Sequence, residues 1–103
     1  MAWIYLIIAG CFEIAWPVGL KMAHTHKIGG TLIAVVTMII SGFFLYLAQK
    51  TIPIGTAYAV WTGIGAVGAM VVGILFWDDP LTFWRILGVM LIVGGVVMLK
   101  LAS

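Results

Sequence analysis

Glu13 is an acidic residue inside a long apolar segment, where a carboxyl group can hold a proton or a cation. The segment from Ala2 to Leu20 is apolar or small except at Tyr5, Glu13 and Trp16. In a helix that rises about 1.5 Å per residue, Glu13 lies roughly 16 Å from the start, near the middle of a hydrocarbon layer about 30 Å thick. An ionised carboxylate at that depth costs at least about 2.5 kcal/mol, a cost that a proton or an organic cation relieves. Glu13 is therefore the candidate residue for binding both.

Aromatic rings and glycines share one helical face in the third apolar segment. The residues on this face are Tyr58, Trp61, Gly65 and Gly68. Aromatic ring faces attract an organic cation by about 0.5–2 kcal/mol. Gly63 and Gly65 lower helix propensity at mid-membrane, which makes them candidate hinge residues. Close helix packing through small residues explains the same glycines.

Two hydroxyl groups and a proline are further features of the apolar segments. Thr37 and Ser41 lie four residues apart on one face of the second segment. Hydroxyls in membrane helices usually bond back to the carbonyl four residues earlier, and that is the simpler expectation for both. Pro17 has no N–H, so it frees the main-chain carbonyl of Glu13 and leaves an extra acceptor there. A kink packed against another helix explains Pro17 equally well.

The composition predicts an all-α membrane protein made of one transmembrane domain over residues 1–103. Hydrophobic residues make up 65% of the 103 residues and charged residues only 8%, whereas a soluble domain carries roughly 25% charged residues. Charged and turn residues divide the chain into four segments within the roughly 17–25 residues that a spanning helix needs. The predicted helices are 2–20, 30–49, 54–76 and 81–99. Pro53 and the pair Asp79-Pro80 are placed to begin the third and fourth helices.

The distribution of basic residues gives almost no preferred orientation in the membrane. Four crossings place Lys21, Lys27 and Arg85 on one side, and Lys50 and Lys100 on the other. The positive-inside rule needs a clear excess, so either the rule is simply weak for this chain or the chain inserts both ways and pairs head to tail. Four short helices also offer too few walls to enclose a carboxyl and a polar ligand, whereas eight can.

Further features indicate a helix–helix contact and exclude other kinds of site. A small and aliphatic stripe on the fourth helix is best interpreted as a helix–helix interface: Gly88, Leu91, Ile92 and Gly95. His24 and His26 have no third ligand nearby, and Cys11 is the only cysteine, so neither a metal nor another cofactor is expected. A scattered net charge of +2 gives no reason to expect nucleic acid binding.

The whole chain resembles the small multidrug resistance family. The resemblance includes Glu13, the run Ala57–Gly65 of the third helix and the turn at Pro53. Within the family the chain is similar to the guanidinium-exporter subtype. The residues that carry this finer similarity are Trp16, Leu20-Lys21, Ser41, Gly55-Thr56 and Leu99-Lys100. Two departures, Pro17 and the short loop around His24–Lys27, concern substrate preference more than mechanism.

The resemblance implies a multi-pass transporter of the bacterial inner membrane, not an enzyme. It would work as an antiparallel, dual-topology homodimer, with protons as the coupling ion. Its substrates would be guanidinium and small guanidinyl or quaternary ammonium cations. Ser41 and Trp16 would orient Glu13, Tyr58 would gate and hydrogen-bond it, and Trp61 would line the pocket. The third helix would bend at its glycines, and the fourth would form the dimer contact.

Three alternatives remain open from the sequence. A multidrug antiporter for bulkier aromatic or quaternary ammonium cations would share every gross feature. A non-transporting proteolipid that carries protons in a rotary machine also buries one glutamate. Such proteolipids are typically two-helix hairpins with the carboxyl in the second helix, whereas here the acid lies in the first of four segments. An obligate heterodimer is the third alternative, although the near-even charge favours a homodimer.

Overall fold

The structure, a computed structural model, describes residues 1–102 and contains four long α-helices joined by short turns. The helices are α1 (Ala2–Met22), α2 (Lys27–Ala48), α3 (Ile54–Phe76) and α4 (Phe83–Leu101). They are 19 to 23 residues long, and all four are long and apolar enough to cross a membrane. The prediction of an all-α chain with four membrane-spanning helices is thus confirmed.

The ends of α1 and α2 lie closer together than the sequence suggested. α1 continues two residues past Leu20, because Lys21 and Met22 are good helix formers. The Ala23 N–H then donates to the Gly19 carbonyl at 3.0 Å and closes the last turn. α2 begins at Lys27 instead of residue 30, directly after His26. The loop between the two helices is therefore a tight turn.

The fourth helix begins later than predicted, because a different residue caps it. The hydroxyl of Thr82 accepts a hydrogen bond from the Arg85 N–H at 3.3 Å, so the expectation that Asp79 and Pro80 begin this helix is wrong. Asp79 lies instead against the end of α3, where its N–H donates to the Gly73 carbonyl at 3.2 Å. Asp78 turns the chain there with a φ of 54°, a conformation that Asp tolerates better than most residues.

α1 is the central helix of the chain, because it packs along both α2 and α3, whereas α4 packs against α3. Glycines bring α1 and α2 together backbone to backbone. A Cβ atom on Gly19 would lie 2.7 Å from the main-chain nitrogen of Ala34, and one on Gly30 would overlap the main chain of Ala23. Since backbone atoms cannot move aside, only glycine fits at these two positions.

A small apolar core and two cation–π contacts mark the end of the bundle that carries Lys50 and Lys100, here called the Lys100 face. The core side chains are Leu6, Ala48, Ile52, Ala57 and Val60. The ammonium of Lys100 lies 4.9 Å from the ring centroid of Trp3, and that of Lys50 lies 5.5 Å from Tyr46. Such contacts suit the membrane–water boundary, where rings and lysines meet. The opposite end, with Lys21, Lys27 and Arg85, is the Lys21 face.

Within the described residues, α4 has no buried residue in the single chain. Leu91 is 70% exposed, and a Cβ atom added to Gly88, Gly94 or Gly95 would meet nothing within 4 Å. The helix therefore presents an uncovered apolar surface to its surroundings.

The contact between α1 and α2 predicts opposite results for two adjacent glycines. Gly30→Ala is expected to destabilise the fold by about 1–3 kcal/mol, because its methyl group must push two backbones apart. Gly29→Ala is the matched control, since a methyl group there meets no atom within 4 Å. Thermal unfolding of the two purified variants in detergent measures the difference. Equal midpoints would show that the helices are not in backbone contact.

Candidate binding site around Glu13

Glu13 lies halfway along α1, and its half-buried carboxyl group is held by its own helix. The indole Nε1 of Trp16 donates to Oε1 of Glu13 at 2.6 Å. A donor three residues away reaches back over one helical turn, so this contact needs no other helix. Among residues 1–102, no second donor reaches the carboxyl group. One oxygen is thus bonded within the protein, and Oε2 keeps its full acceptor capacity.

The backbone of α3 lies directly against the side chain of Glu13. A Cβ atom on Gly65 would lie 2.6 Å from Cγ of Glu13. Contacts of the same kind occur on both sides along the helices, where Gly10 meets Ile64 and Gly68 meets Ile14. Because α3 leaves no free space beside its Cγ, the Glu13 side chain has a restricted choice of rotamers.

Ser41 connects three helices through a chain of hydrogen bonds. Its Oγ is fully buried and donates to the Ala9 carbonyl of α1 at 2.7 Å. The same Oγ accepts from Nε1 of Trp61 in α3 at 2.8 Å. Ala9 lies one helical turn before Glu13, so Ser41 holds the backbone next to the carboxyl and not the carboxyl itself. Its hydroxyl proton is already used, which makes its effect on Glu13 in this conformation indirect.

Thr37 and Ser41 of α2 differ in their hydrogen-bond partners. Thr37 donates to the Ile33 carbonyl at 2.6 Å, the local bond expected of a hydroxyl in a membrane helix. Ser41 departs from that expectation, because its bonds go to α1 and α3. Nothing in the sequence around Ala9 marks its carbonyl as a partner, since the two residues are 32 positions apart and the acceptor belongs to the backbone.

Tyr58 and Trp61 form an aromatic pair on α3. Their ring centroids lie 5.6 Å apart with an interplanar angle of 51°. The Tyr58 side chain is 57% exposed, and among residues 1–102 the side-chain hydrogen bond to the Glu13 carboxyl comes from Trp16 and not from Tyr58. Its role as a gate for the carboxyl therefore stays a prediction.

The predicted hinge glycines both occupy crowded positions. A Cβ atom on Gly63 would lie 2.7 Å from Cγ2 of Val96 and 3.5 Å from Cγ2 of Ile92, so α4 packs over this residue. A Cβ atom on Gly65 would likewise overlap the Glu13 side chain. Close packing accounts for both glycines in this conformation, and their bending stays a prediction. Ile92 also packs partly within its own chain, whereas Leu91 points away from it.

The site contains a carboxyl group with one indole donor on α1, and α3 carries a pair of aromatic rings; both kinds of group are suited to an organic cation. In residues 1–102, no group of three His, Cys, Asp or Glu side chains comes together. A planar cation that donates paired N–H bonds matches a carboxylate well, and ring faces favour cations in general.

The buried hydrogen bonds of Ser41 predict that Ser41→Ala lowers the stability of the fold more than Thr37→Ala does. Ser41→Ala leaves the Trp61 N–H and the interhelical contact to Ala9 without a partner, at a cost of about 1–3 kcal/mol. Thr37→Ala removes only a local bond and is the matched control. Thermal unfolding in detergent, followed by circular dichroism, measures both. Equal stability of the two variants would contradict the chain of hydrogen bonds.

Comparison with known proteins shows the family of the chain. The family model described as Small Multidrug Resistance protein matches residues 1–92. The chain is 48% identical to the "Guanidinium exporter" of Yersinia pseudotuberculosis, over the full length of both chains. It is 47% identical to the "Guanidinium exporter" of Salmonella typhimurium and 46% identical to that of Citrobacter freundii. Both alignments cover 100% of this chain and 99% of the relative.

The family model matches most of the chain, and the relatives align along its full length. Together these matches decide the classification. The protein belongs to the small multidrug resistance family.

Proposed function

We propose that this protein exports guanidinium and small guanidinyl or quaternary ammonium cations across the bacterial inner membrane, in exchange for protons. The observation that carries the proposal is the Glu13 carboxyl, which lies at mid-helix with one indole donor and one free oxygen. The names of the relatives support the choice of cation, since those proteins are called guanidinium exporters.

The geometry of Glu13 suits a guanidinium ion in particular. Guanidinium is planar and donates two parallel N–H bonds to a carboxylate, which makes the contact strong and directional. Trp16 uses one lone pair of Oε1 and steers the carboxyl group, so that Oε2 and the second lone pair of Oε1 can accept the two parallel bonds. A quaternary ammonium ion has no N–H and would depend on charge and on the faces of Tyr58 and Trp61.

Coupling to protons follows from the use of one carboxyl for both ligands. An ionised and empty Glu13 is costly in an apolar layer, so the residue holds either a proton or a cation. If the empty, ionised protein rarely changes the side to which it opens, each cation that leaves is exchanged for protons. No cofactor is needed, because the protonated glutamate is itself the coupling intermediate.

An antiparallel homodimer would supply the walls that one chain lacks. In the single chain, Glu13 is only half-buried and α4 is uncovered. Pairing through Gly88, Leu91 and Gly95 of α4 would cover that surface, since small residues let helices approach closely. Two Glu13 side chains would then face one pocket from opposite orientations. The margin of one basic residue between the two faces permits both orientations in the membrane.

Glu13→Gln is expected to abolish guanidinium transport, because the amide neither ionises nor carries the exchanged proton. The measurement is the transport current of purified protein in liposomes on a solid-supported membrane. Asp78→Asn is the matched control, since it removes an exposed acid outside the helices and Asn tolerates the positive φ there. Cross-linking verifies that the Gln variant still forms dimers.

Other outcomes would assign the protein differently. Proton-coupled current in Glu13→Gln would show that the mechanism is wrong. Current with a bulky tetraalkylammonium but none with guanidinium would move the protein to multidrug export. The absence of current with every cation would indicate that the protein is a non-transporting subunit or one partner of a heterodimer.

Competition at one carboxyl also predicts the pH dependence of binding. Where Glu13 is protonated in the empty protein, each exchanged proton lowers guanidinium affinity tenfold per pH unit as the pH falls. At higher pH, where Glu13 is already ionised, the affinity becomes constant. Isothermal titration in detergent over a range of pH measures the slope. An affinity independent of pH would exclude competition between the two ligands.

Gly65→Ala is expected to lower guanidinium transport at least tenfold with the fold retained. The added methyl group would displace the Glu13 side chain, and small errors in the position of a binding group are costly. Gly42→Ala is the control, because a methyl group on that exposed face of α2 meets no atom within 4 Å. Unchanged transport in Gly65→Ala would show that α3 does not position the carboxyl.

A further inference from the structure

A crevice between α1 and α3 opens at the Lys21 face, where the two helices end. Its volume is about 200 Å³, much larger than the roughly 30 Å³ that one water molecule occupies. Its inner part is lined by Pro17 and Val18 of α1 and by Ala69 and Val72 of α3. None of these four residues belongs to the candidate cation site, so the crevice is a separate space that can take a group of several atoms.

The mouth of the crevice carries one positive and one negative side chain that do not pair with each other. Lys21 lies in the last turn of α1, Asp79 follows the end of α3, and both line the crevice. Among residues 1–102, neither of them forms an ion pair with the other or with any further side chain. Each charge can therefore bind a group of opposite charge from outside the chain.

The Asp79 carboxylate is held over the last turn of α3. Its main-chain N–H donates to the Gly73 carbonyl at 3.2 Å, and its Oδ2 lies so close to Gly73 that a Cβ atom there would overlap it. The C-terminal end of a helix carries a partial negative charge, which repels a carboxylate. Trp77 lines the same space, and the face of an indole ring attracts cations. A cationic group beside Asp79 and Trp77 would relieve the repulsion.

The order of groups along the crevice matches the order of groups along a phospholipid. The inner part is lined by aliphatic residues, and the mouth is lined by Lys21, Trp77 and Asp79. Tryptophan and lysine at the ends of membrane-spanning helices favour the membrane–water boundary, where lipid headgroups lie. A soluble zwitterion would fill only the mouth, whereas a lipid continues from its headgroup into an apolar part.

We propose that the crevice binds the headgroup of phosphatidylethanolamine, a zwitterionic lipid whose phosphate and primary ammonium are joined by a two-carbon linker. Lys21 contacts the phosphate, and Asp79 accepts charge-assisted N–H bonds from the ammonium beside Trp77. The start of the acyl chains lies along the aliphatic part of the crevice. Phosphatidylcholine has both charges but no N–H, and phosphatidylglycerol has no cation, so both bind more weakly.

Nearby residues of the same charge provide matched controls. Asp78 precedes Asp79, and Lys27 lies on the same face as Lys21, yet neither control residue lines the crevice. Asp79→Asn is compared with Asp78→Asn, and Lys21→Met with Lys27→Met, so each pair removes the same charge from the same face. The purified protein in detergent is titrated with the dioleoyl form of each of the three lipids, and native mass spectrometry measures the fraction of protein with bound lipid.

Phosphatidylethanolamine is expected to bind about tenfold more tightly than the other two lipids, because only its ammonium donates hydrogen bonds. Asp79→Asn is expected to remove this preference, and Asp78→Asn to keep it. Lys21→Met weakens the binding of all three lipids, since they share the phosphate, whereas Lys27→Met changes it by less than about twofold. Equal affinities of the three lipids, or equal effects within either pair of variants, would overturn the proposal.

A water-soluble analogue distinguishes a lipid from a soluble zwitterion. Glycerophosphoethanolamine has the same headgroup without acyl chains, and it is expected not to displace the lipid at an equal concentration. Displacement at that concentration would overturn the assignment of the crevice to a lipid. The titration contains no transported cation, so its result does not depend on guanidinium export.

Discussion

A carboxyl group halfway along a membrane-spanning helix must be kept from the lipid, and the packing of the chain around α1 meets that constraint. Trp16 satisfies one oxygen from the same helix, and α3 lies against the Glu13 side chain at Gly65. On the other side, α2 approaches α1 backbone to backbone through Gly19 and Gly30. The helix with the acid is therefore the best-packed one, and the helix without polar side chains at mid-membrane, α4, is the least packed.

Ser41 shows how the chain converts one buried hydroxyl into a connection among three helices. A hydroxyl has one proton to donate and two lone pairs, and here it donates to Ala9 and accepts from Trp61. Because Ala9 precedes Glu13 by one turn, a shift of Trp61 on α3 is transmitted to the backbone that carries the acid. The position of Trp61 and the position of the carboxyl are thus mechanically related.

The parts of this structure that depend on local sequence could be predicted, and the parts that depend on packing could not. Helix number follows from apolar length, and α3 matches the predicted range 54–76 because Pro53 and the acidic turn bound it on both sides. Thr82 took the cap predicted for Asp79, because Asp79 lies against α3. The bond from Ser41 to Ala9 could not be predicted either, since its acceptor is a backbone carbonyl and the Ala9 side chain gives no indication of it. The position of Glu13 against Gly65 required the register of two helices, which periodicity alone does not provide.

The thirteen glycines divide into two groups with different evolutionary constraints. Seven of them lie against another part of the same chain: Gly10, Gly19, Gly30, Gly63, Gly65, Gly68 and Gly73. At five of these positions the neighbour is a side chain, as with Gly10 and Ile64, so a larger residue is tolerated only if that neighbour becomes smaller or moves. At Gly19 and Gly30 the neighbour is backbone, so only glycine fits. The other six meet nothing within the chain. Packing within the single chain therefore does not oppose a larger residue at those six, which include Gly88 and Gly95 on α4.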